Sequence, residues 1–270
     1  MNYPSIKKMP FDEYLARPEM HKSRLFLLDK GVEHFLSDEP VKVTPDMILG
    51  SLAHQMFLEP ADFVNGKIVE PDINKKTKAG KAAYADFLKA HKGKEIVSRS
   101  HHEKLLAMSD SMRSGRYKIA MSLLTDCEPE MSIFLEWEGI SWKVRPDGLN
   151  EKKKIVTEYK TAASIPSFPN QVFRLGYDVQ AALYLEAVEA YFGEEFSFIW
   201  VVQEKAPPYA VAVLDASLGN PSPLEIGQAR LNNLIEKYKS LKAVDFKLPD
   251  GRFINDRIKA LKVPKRAEYL

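Results

Sequence analysis

The chain has 270 residues, 45% of them apolar, and 39 Lys and Arg against 37 Asp and Glu give it a net charge of +2; this fits one globular domain with a sizeable core and gives no global sign of nucleic-acid binding. No run of 18 apolar residues is present, and the N-terminal stretch MNYPSIKKMPFDEYLARPEM has no continuous apolar segment, so neither a membrane span nor a secretion signal is expected. The single cysteine, Cys127, excludes an internal disulfide and a finger-type zinc site, and a cytoplasmic protein is the expectation.

The first half reads as helical. Short helical patterns cover Phe11 to Leu15 and Ser23 to Phe35. A longer helix is expected from Thr44, a good N-cap, with Pro45 in its first turn and Pro60 as its stop. Ile48, Leu52 and Met56 make an apolar row at i, i+4, i+8 in it. The next helix, Lys78 to His91, lies in a basic stretch: between Asn74 and Lys94 there are seven lysines and one acid, Asp86. Such a run is either a solvated face or a phosphate contact, and charge alone does not choose. Helices follow at His102 to Met112 and Arg116 to Leu124.

From Met131 the pattern changes to strands. MSIFLEWEGISWKVRPDG reads as a hairpin turning at Glu138-Gly139. A third strand runs from Lys154 to Lys160, a helix from Tyr177 to Phe192, strands from Phe196 to Gln203 and Tyr209 to Leu214, and a last helix from Pro221 to Leu241. A basic tail, Arg252 to Arg266, closes the chain. The order predicts an α/β fold with a mixed central sheet flanked by helices. It is read as one domain: a helical region at 1–43, a core at 44–215, and a helix with the basic tail at 216–270.

The segment VRPDGLNEKKKIVTEYKTA carries the chemistry. Residues i and i+2 of a strand share a face, so Glu158 and Lys160 form a pair. On a surface that pair would contribute only about 0.2–1 kcal/mol. The turn, however, brings Asp147 back toward Glu158, and two carboxylates held together repel unless a cation or a proton lies between them. A hard divalent metal takes oxygen ligands. A lysine beside it, its pKa lowered by burial, could orient or deprotonate a water. That set supplies what metal-assisted phosphodiester hydrolysis needs.

Pro146-Asp147 followed by Glu158-Tyr159-Lys160 resembles the PD-(D/E)XK nuclease signature, a restriction-endonuclease-like core. Three further stretches narrow the resemblance. Gly50-Ser51-Leu52-Ala53-His54 with Leu58-Glu59-Pro60 is similar to the G-x-x-x-H helix of RecB-like nucleases, with the ending of the RecE type. Gln180 and Tyr184 in YDVQAALYLEA resemble the Q-x-x-x-Y helix of the same group. NKKTKAGKAAYADFLKAHKG resembles a basic segment of RecE-type exonucleases. The chain is thus similar to the RecE-type (exonuclease VIII) phage and prophage nucleases, related to lambda exonuclease.

This resemblance implies a Mg²⁺-dependent double-strand DNA exonuclease, with Mn²⁺ also accepted. It implies 5′ to 3′ digestion leaving 3′ single-stranded tails, a trimeric or tetrameric ring around the duplex, and a RecT-like single-strand annealing protein as partner. His54, Asp147, Glu158 and an upstream acid would hold one or two metals. Glu130 is the best positional match for that acid, with Glu128 and Glu136 as rivals. Lys160 would help activate the water, and Gln180 and Tyr184 would lie near the catalytic strand and the DNA backbone. Lys75, Lys76, Lys78, Lys81, Lys143, Arg145 and Thr161 are the expected DNA contacts. The other reading of the same chemistry is an endonuclease, or a nuclease module served by a separate helicase. The chain itself has no G-x-x-x-x-G-K-[ST] loop.

Overall fold

A computed structural model describes residues 3–37 and 42–246. In chain order the elements are β1 (Ser5–Lys8), α1 (Phe11–Ala16), α2 (Lys22–Lys30), α3 (Val32–Leu36), α4 (Pro45–Leu58), α5 (Pro60–Gly66), β2 (Lys67–Val69), α6 (Lys78–Ala90), β3 (Glu95–Val97), α7 (Arg99–Arg113) and α8 (Lys118–Thr125). Then come β4 (Glu128–Pro129), β5 (Met131–Trp137), β6 (Ile140–Val144), β7 (Gly148–Asn150), β8 (Ile155–Ala162), α9 (Phe168–Leu175), α10 (Tyr177–Phe192), β9 (Ser197–Glu204), β10 (Val211–Asp215) and α11 (Pro223–Ala243). The expected basic tail lies outside the described residues.

The central sheet has five strands in the order β10-β9-β8-β7-β4. β8 and β9 are parallel, and the other neighbours are antiparallel. The parallel pair requires a crossover, which α9 and α10 supply. Along β8 and β9 the side chains alternate between two cores. Val156, Ala162, Phe198, Trp200 and Val202 pack with α2, α3, α10 and α11. Tyr159 and Val201 pack with α4, α7 and α8 on the other face. The result is the helix–sheet–helix layering that the element order predicts.

A second antiparallel sheet, β1-β5-β6, lies beside the first. Its hairpin turns where expected: Trp137 pairs with Ile140, and Glu138 and Gly139 both have positive φ (54° and 71°), as a two-residue type I′ turn requires. The chain leaves β6 at Val144, bends through Arg145, Pro146 and Asp147, and enters the central sheet as β7. The third predicted strand, β8, therefore pairs with β7 rather than with the hairpin itself.

Several local expectations are revised. Pro60 opens α5 as its first residue instead of only stopping α4, because a proline at N1 gives up no helical hydrogen bond. The buried face of α4 is Leu49, Leu52, Ala53, Phe57 and Leu58, and Ile48 is 39% exposed. The helix is thus turned from the Ile48-Leu52-Met56 row, with Gly50 against β8. The N-terminal region holds a strand, β1, paired to β5, as well as its helices. The pattern at Ser23 to Phe35 is two helices broken at Gly31, whose φ is 150°. No described helix is long and apolar enough to cross a membrane.

Candidate metal and active site

The site forms where the chain bends from one sheet to the other. Gly148 pairs with Thr157, which sets Asp147 beside Glu158 across the β7–β8 ladder. The Asp147 amide donates to Glu158 Oε1 at 3.2 Å, and the Tyr159 amide donates to Asp147 Oδ2 at 2.8 Å. Both carboxylates are buried. Glycine follows Asp147 for a packing reason: a β-carbon at residue 148 would stand 2.6 Å from Cys127 Sγ.

The third donor comes from α4. A β-carbon at Gly50 would meet Thr161 Oγ1 at 3.1 Å, so the missing side chain lets the helix lie close on β8. His54, four residues on, shares that helix face. Its Nε2 lies 2.8 Å from Asp147 Oδ1 and 3.3 Å from Glu130 Oε1. Glu130 stands between β4 and β5 with φ of 59°, and its amide donates to the Asp147 carbonyl at 3.2 Å. His54, Glu130 and Asp147 thus place one ligand atom each within 4.8 Å of one another.

Glu158 lies next to this trio with its oxygens already engaged. Lys160 Nζ is 2.6 Å from Oε2, and the Gln180 amide nitrogen donates to the same oxygen at 2.9 Å. Of the rival acids, Glu128 is exposed in β4, and Glu136 accepts from the Ser141 hydroxyl on the exposed hairpin.

Electrostatics separates the groups. Burial pushes Glu158 up to about 7, helped by the Asp147 charge and opposed by Lys160. Asp147 is also raised by burial, but His54, Lys160 and the Tyr159 amide outweigh this and hold it below its usual value. Burial would lower His54, yet the Asp147 and Glu130 charges raise it to about 9. Glu130 is raised by burial. Lys160 corrects the expectation that burial would lower its pKa: burial does push it down, but the Glu158 and Asp147 charges push harder, and it lies above the usual lysine value.

The donor set fits a divalent cation. Two buried carboxylates and an imidazole converge on one point, and the Asp147 and Glu130 charges that raise His54 favour a positive charge there. Carboxylates suit Mg²⁺ and Mn²⁺, and the imidazole tilts the set toward a transition metal such as Mn²⁺.

Residues 30–249 match the profile of a PDDEXK-like domain of unknown function (DUF3799). The chain belongs to this family. The PDDEXK-like chain is also similar in fold to a solved protein from Eubacterium rectale described as a "putative exonuclease". The two share 14% identity over 97% of this chain and 98% of that one, with a TM-score of 0.61. SSO0001 aligns over 80% of this chain and 85% of its own at 18% identity, with a TM-score of 0.31, too slight a likeness to bear on the fold. No curated protein matches.

The other expected residues of this PDDEXK-like chain divide. Tyr184 packs at the edge of the main core near Phe198, and its phenol lies well above its usual pKa through burial and then the Glu158 charge. Thr161 is half-buried against Gly50. Lys76, Lys78 and Lys81 are exposed on or near α6, while Lys75 pairs with Glu70 at 2.5 Å. Among the described residues no hydrogen bond or ion pair joins these lysines to the His54–Glu130–Asp147 cluster. Lys143 and Arg145 are corrections. Strand alternation does put them on one face, but α1 and the segment leading into it cover that face. Lys143 Nζ donates to the carbonyls of Tyr14, Leu15 and Arg17 at 2.9, 3.1 and 2.6 Å, which satisfies the end of α1. Arg145 is bound to Glu130. Neither is available to phosphate.

Sequence reading also missed Lys22 and Tyr177. The ammonium groups of Lys160 and Lys22 lie 5.0 and 5.7 Å from the Tyr177 ring centre. Lys22 donates to the Leu175 carbonyl at 2.9 Å, and burial followed by the Lys160 charge lowers it to about 8. Lys22 is too far from Lys160 along the chain for any motif to connect them.

Proposed function

We propose that this protein is a divalent-metal-dependent double-strand DNA exonuclease, acting from the 5′ end and leaving 3′ single-stranded tails for recombination by strand annealing. The observation that carries the nuclease reading is the convergence of His54, Glu130 and Asp147 beside the Glu158–Lys160 pair. The direction of digestion, the ring-shaped assembly and an annealing partner rest on the sequence resemblance to the RecE type.

His54, Glu130 and Asp147 would hold the metal, with Mg²⁺ or Mn²⁺ as the ion. When bound, the metal supplies Lewis-acid stabilisation of the phosphate and lowers the pKa of a water. The chain's own part is orientation and charge. Lys160, held charged by its two acidic neighbours, neutralises charge building on the phosphate and orients the water by donating to it. Glu158, poised near neutrality, is the group suited to take a proton. Gln180 fixes the Glu158 carboxylate from the α10 side. The backbone amides of Asp147 and Tyr159 hold the two acids in register.

Linear duplexes labelled at the 5′ or the 3′ end, incubated with and without Mg²⁺, test the proposal. Early release of the 5′ label, only with metal, is the expected result. Cutting of a closed circular duplex would instead favour the endonuclease reading. Binding without cleavage would end the catalytic one.

A further inference from the structure

Arg145 contacts neither Asp147 nor His54, yet it is built into the wall of the site. Its side chain is only 7% exposed, and its Nε donates to Glu130 Oε2. Its Nη1 donates to the Met9 carbonyl at 2.9 Å and to the Ser132 hydroxyl at 3.1 Å. The guanidinium also lies over the Tyr14 and Phe11 rings, 5.6 and 5.7 Å from their centres. The arginine is therefore anchored at several points before it touches Glu130.

Glu130 needs such a holder. It has a left-handed backbone, which a residue with a β-carbon adopts at a cost. Its carboxylate is buried close to Asp147, which repels it. Arg145 takes Oε2 and leaves Oε1 directed at His54. We infer that Arg145 is a positioning residue: by fixing one oxygen of Glu130 it presents the other to the metal, and so sets the affinity of the site for divalent cations. The inference rests on the metal site proposed above. It also ties that site to the N-terminal segment, because the Met9 carbonyl is one of the anchors.

Two roles for Arg145 predict opposite signs. A positive charge beside a cation site repels the cation, so if Arg145 acted only as a charge, its removal would tighten metal binding. A positioning role predicts looser binding, since groups that orient a metal ligand typically change affinity by about 10–100-fold when removed. Mn²⁺ titration calorimetry of the full chain separates the two. Arg145→Gln should weaken Mn²⁺ binding by about ten-fold or more, and Arg145→Lys, which keeps the charge but loses the fork, should also weaken it. In a Glu130→Gln background the Arg145→Gln change should add no further loss. Ser132→Ala removes one anchor and no charge, so it should loosen binding by a few-fold even if the arginine variants fold poorly.

Unchanged or tighter binding in Arg145→Gln and Ser132→Ala, with wild type binding normally, overturns the inference and leaves the metal site standing. Absence of Mn²⁺ binding in wild type, or binding indifferent to Asp147→Asn, overturns the site and the inference with it.

Discussion

Gly50 lies against Thr161 so closely that a β-carbon at residue 50 would stand 3.1 Å from the threonine hydroxyl. This contact sets the distance between α4 and β8, and His54 reaches Asp147 from one turn further along the same helix face. Gly50→Val should therefore push α4 off the sheet. We expect a stability loss of about 1–3 kcal/mol from overpacking, read by urea unfolding. A disproportionate fall in Mn²⁺ affinity should accompany it, because His54 retreats from the two acids. Gly50→Ala, which needs a shift of only a few tenths of an ångström, should do both more weakly. A valine variant with wild-type metal affinity would disconnect the glycine from the site.

The Glu158–Lys160 pair gives a second prediction. Lys160 holds Glu158 down against burial and the Asp147 charge. Lys160→Ala leaves Glu158 without its cation, so Glu158 should carry a proton at neutral pH. Cleavage of linear duplex should fall by about 10²-fold or more while duplex binding, read by fluorescence anisotropy, is retained. Unchanged cleavage would remove Lys160 from the mechanism.

His21 supplies a pH dependence away from the site. It precedes α2 and is half-buried, and burial, followed by the charges of Lys143, Arg24 and Lys22, lowers it to about 4. The folded chain thus keeps His21 neutral where the unfolded chain protonates it, between its ordinary value near 6.5 and about 4. Its contribution to stability is complete above pH 6.5 and is lost as pH falls toward 4. After allowance for its partial exposure, the loss is about 2 kcal/mol. His21→Gln should show a correspondingly shallower decline in urea-unfolding stability over that window. Identical slopes would refute the assignment.

The strands and helices were legible wherever periodicity was strong and ends were chemically marked. Thr44 and Ser222 both cap their helices as their residue types suggest, and Ser222 closes a capping box with Glu225. The closeness of Asp147, Glu158 and Lys160 was legible because strand parity and a short turn relate them locally. What stayed hidden was non-local. Nothing in the three residues Lys67 to Val69 announces a strand until Glu95 to Val97 pairs with them. Lys143 and Arg145 looked like a phosphate-facing pair because alternation gives the face but not its cover, here α1 and the segment leading into it. Likewise Lys153 and Lys154 in the turn between Asp147 and Glu158 are engaged by Asp126 and Glu194 at 3.1 and 3.0 Å, and no local pattern names those partners.

Gly227 extends the same logic to the rear of the site. A β-carbon there would lie 2.1 Å from the Asp178 carbonyl oxygen, a backbone atom that cannot swing aside. Asp178 is locked in turn by Arg230, whose Nη1 donates to both carboxylate oxygens at 2.9 and 2.7 Å. Two residues later on α10 stands Gln180, which holds Glu158. Gly227→Ala must therefore separate α11 from α10 or tilt α10 against the sheet. A loss of about 1–3 kcal/mol is expected, measured by urea unfolding. If α10 is the element that moves, the Gln180–Glu158 bond loosens and cleavage falls with stability. If α11 moves instead, stability falls and single-turnover cleavage of the remaining folded protein is unchanged. Measuring both on one preparation assigns the movement, and a variant as stable as wild type would show that the helices do not meet at Gly227.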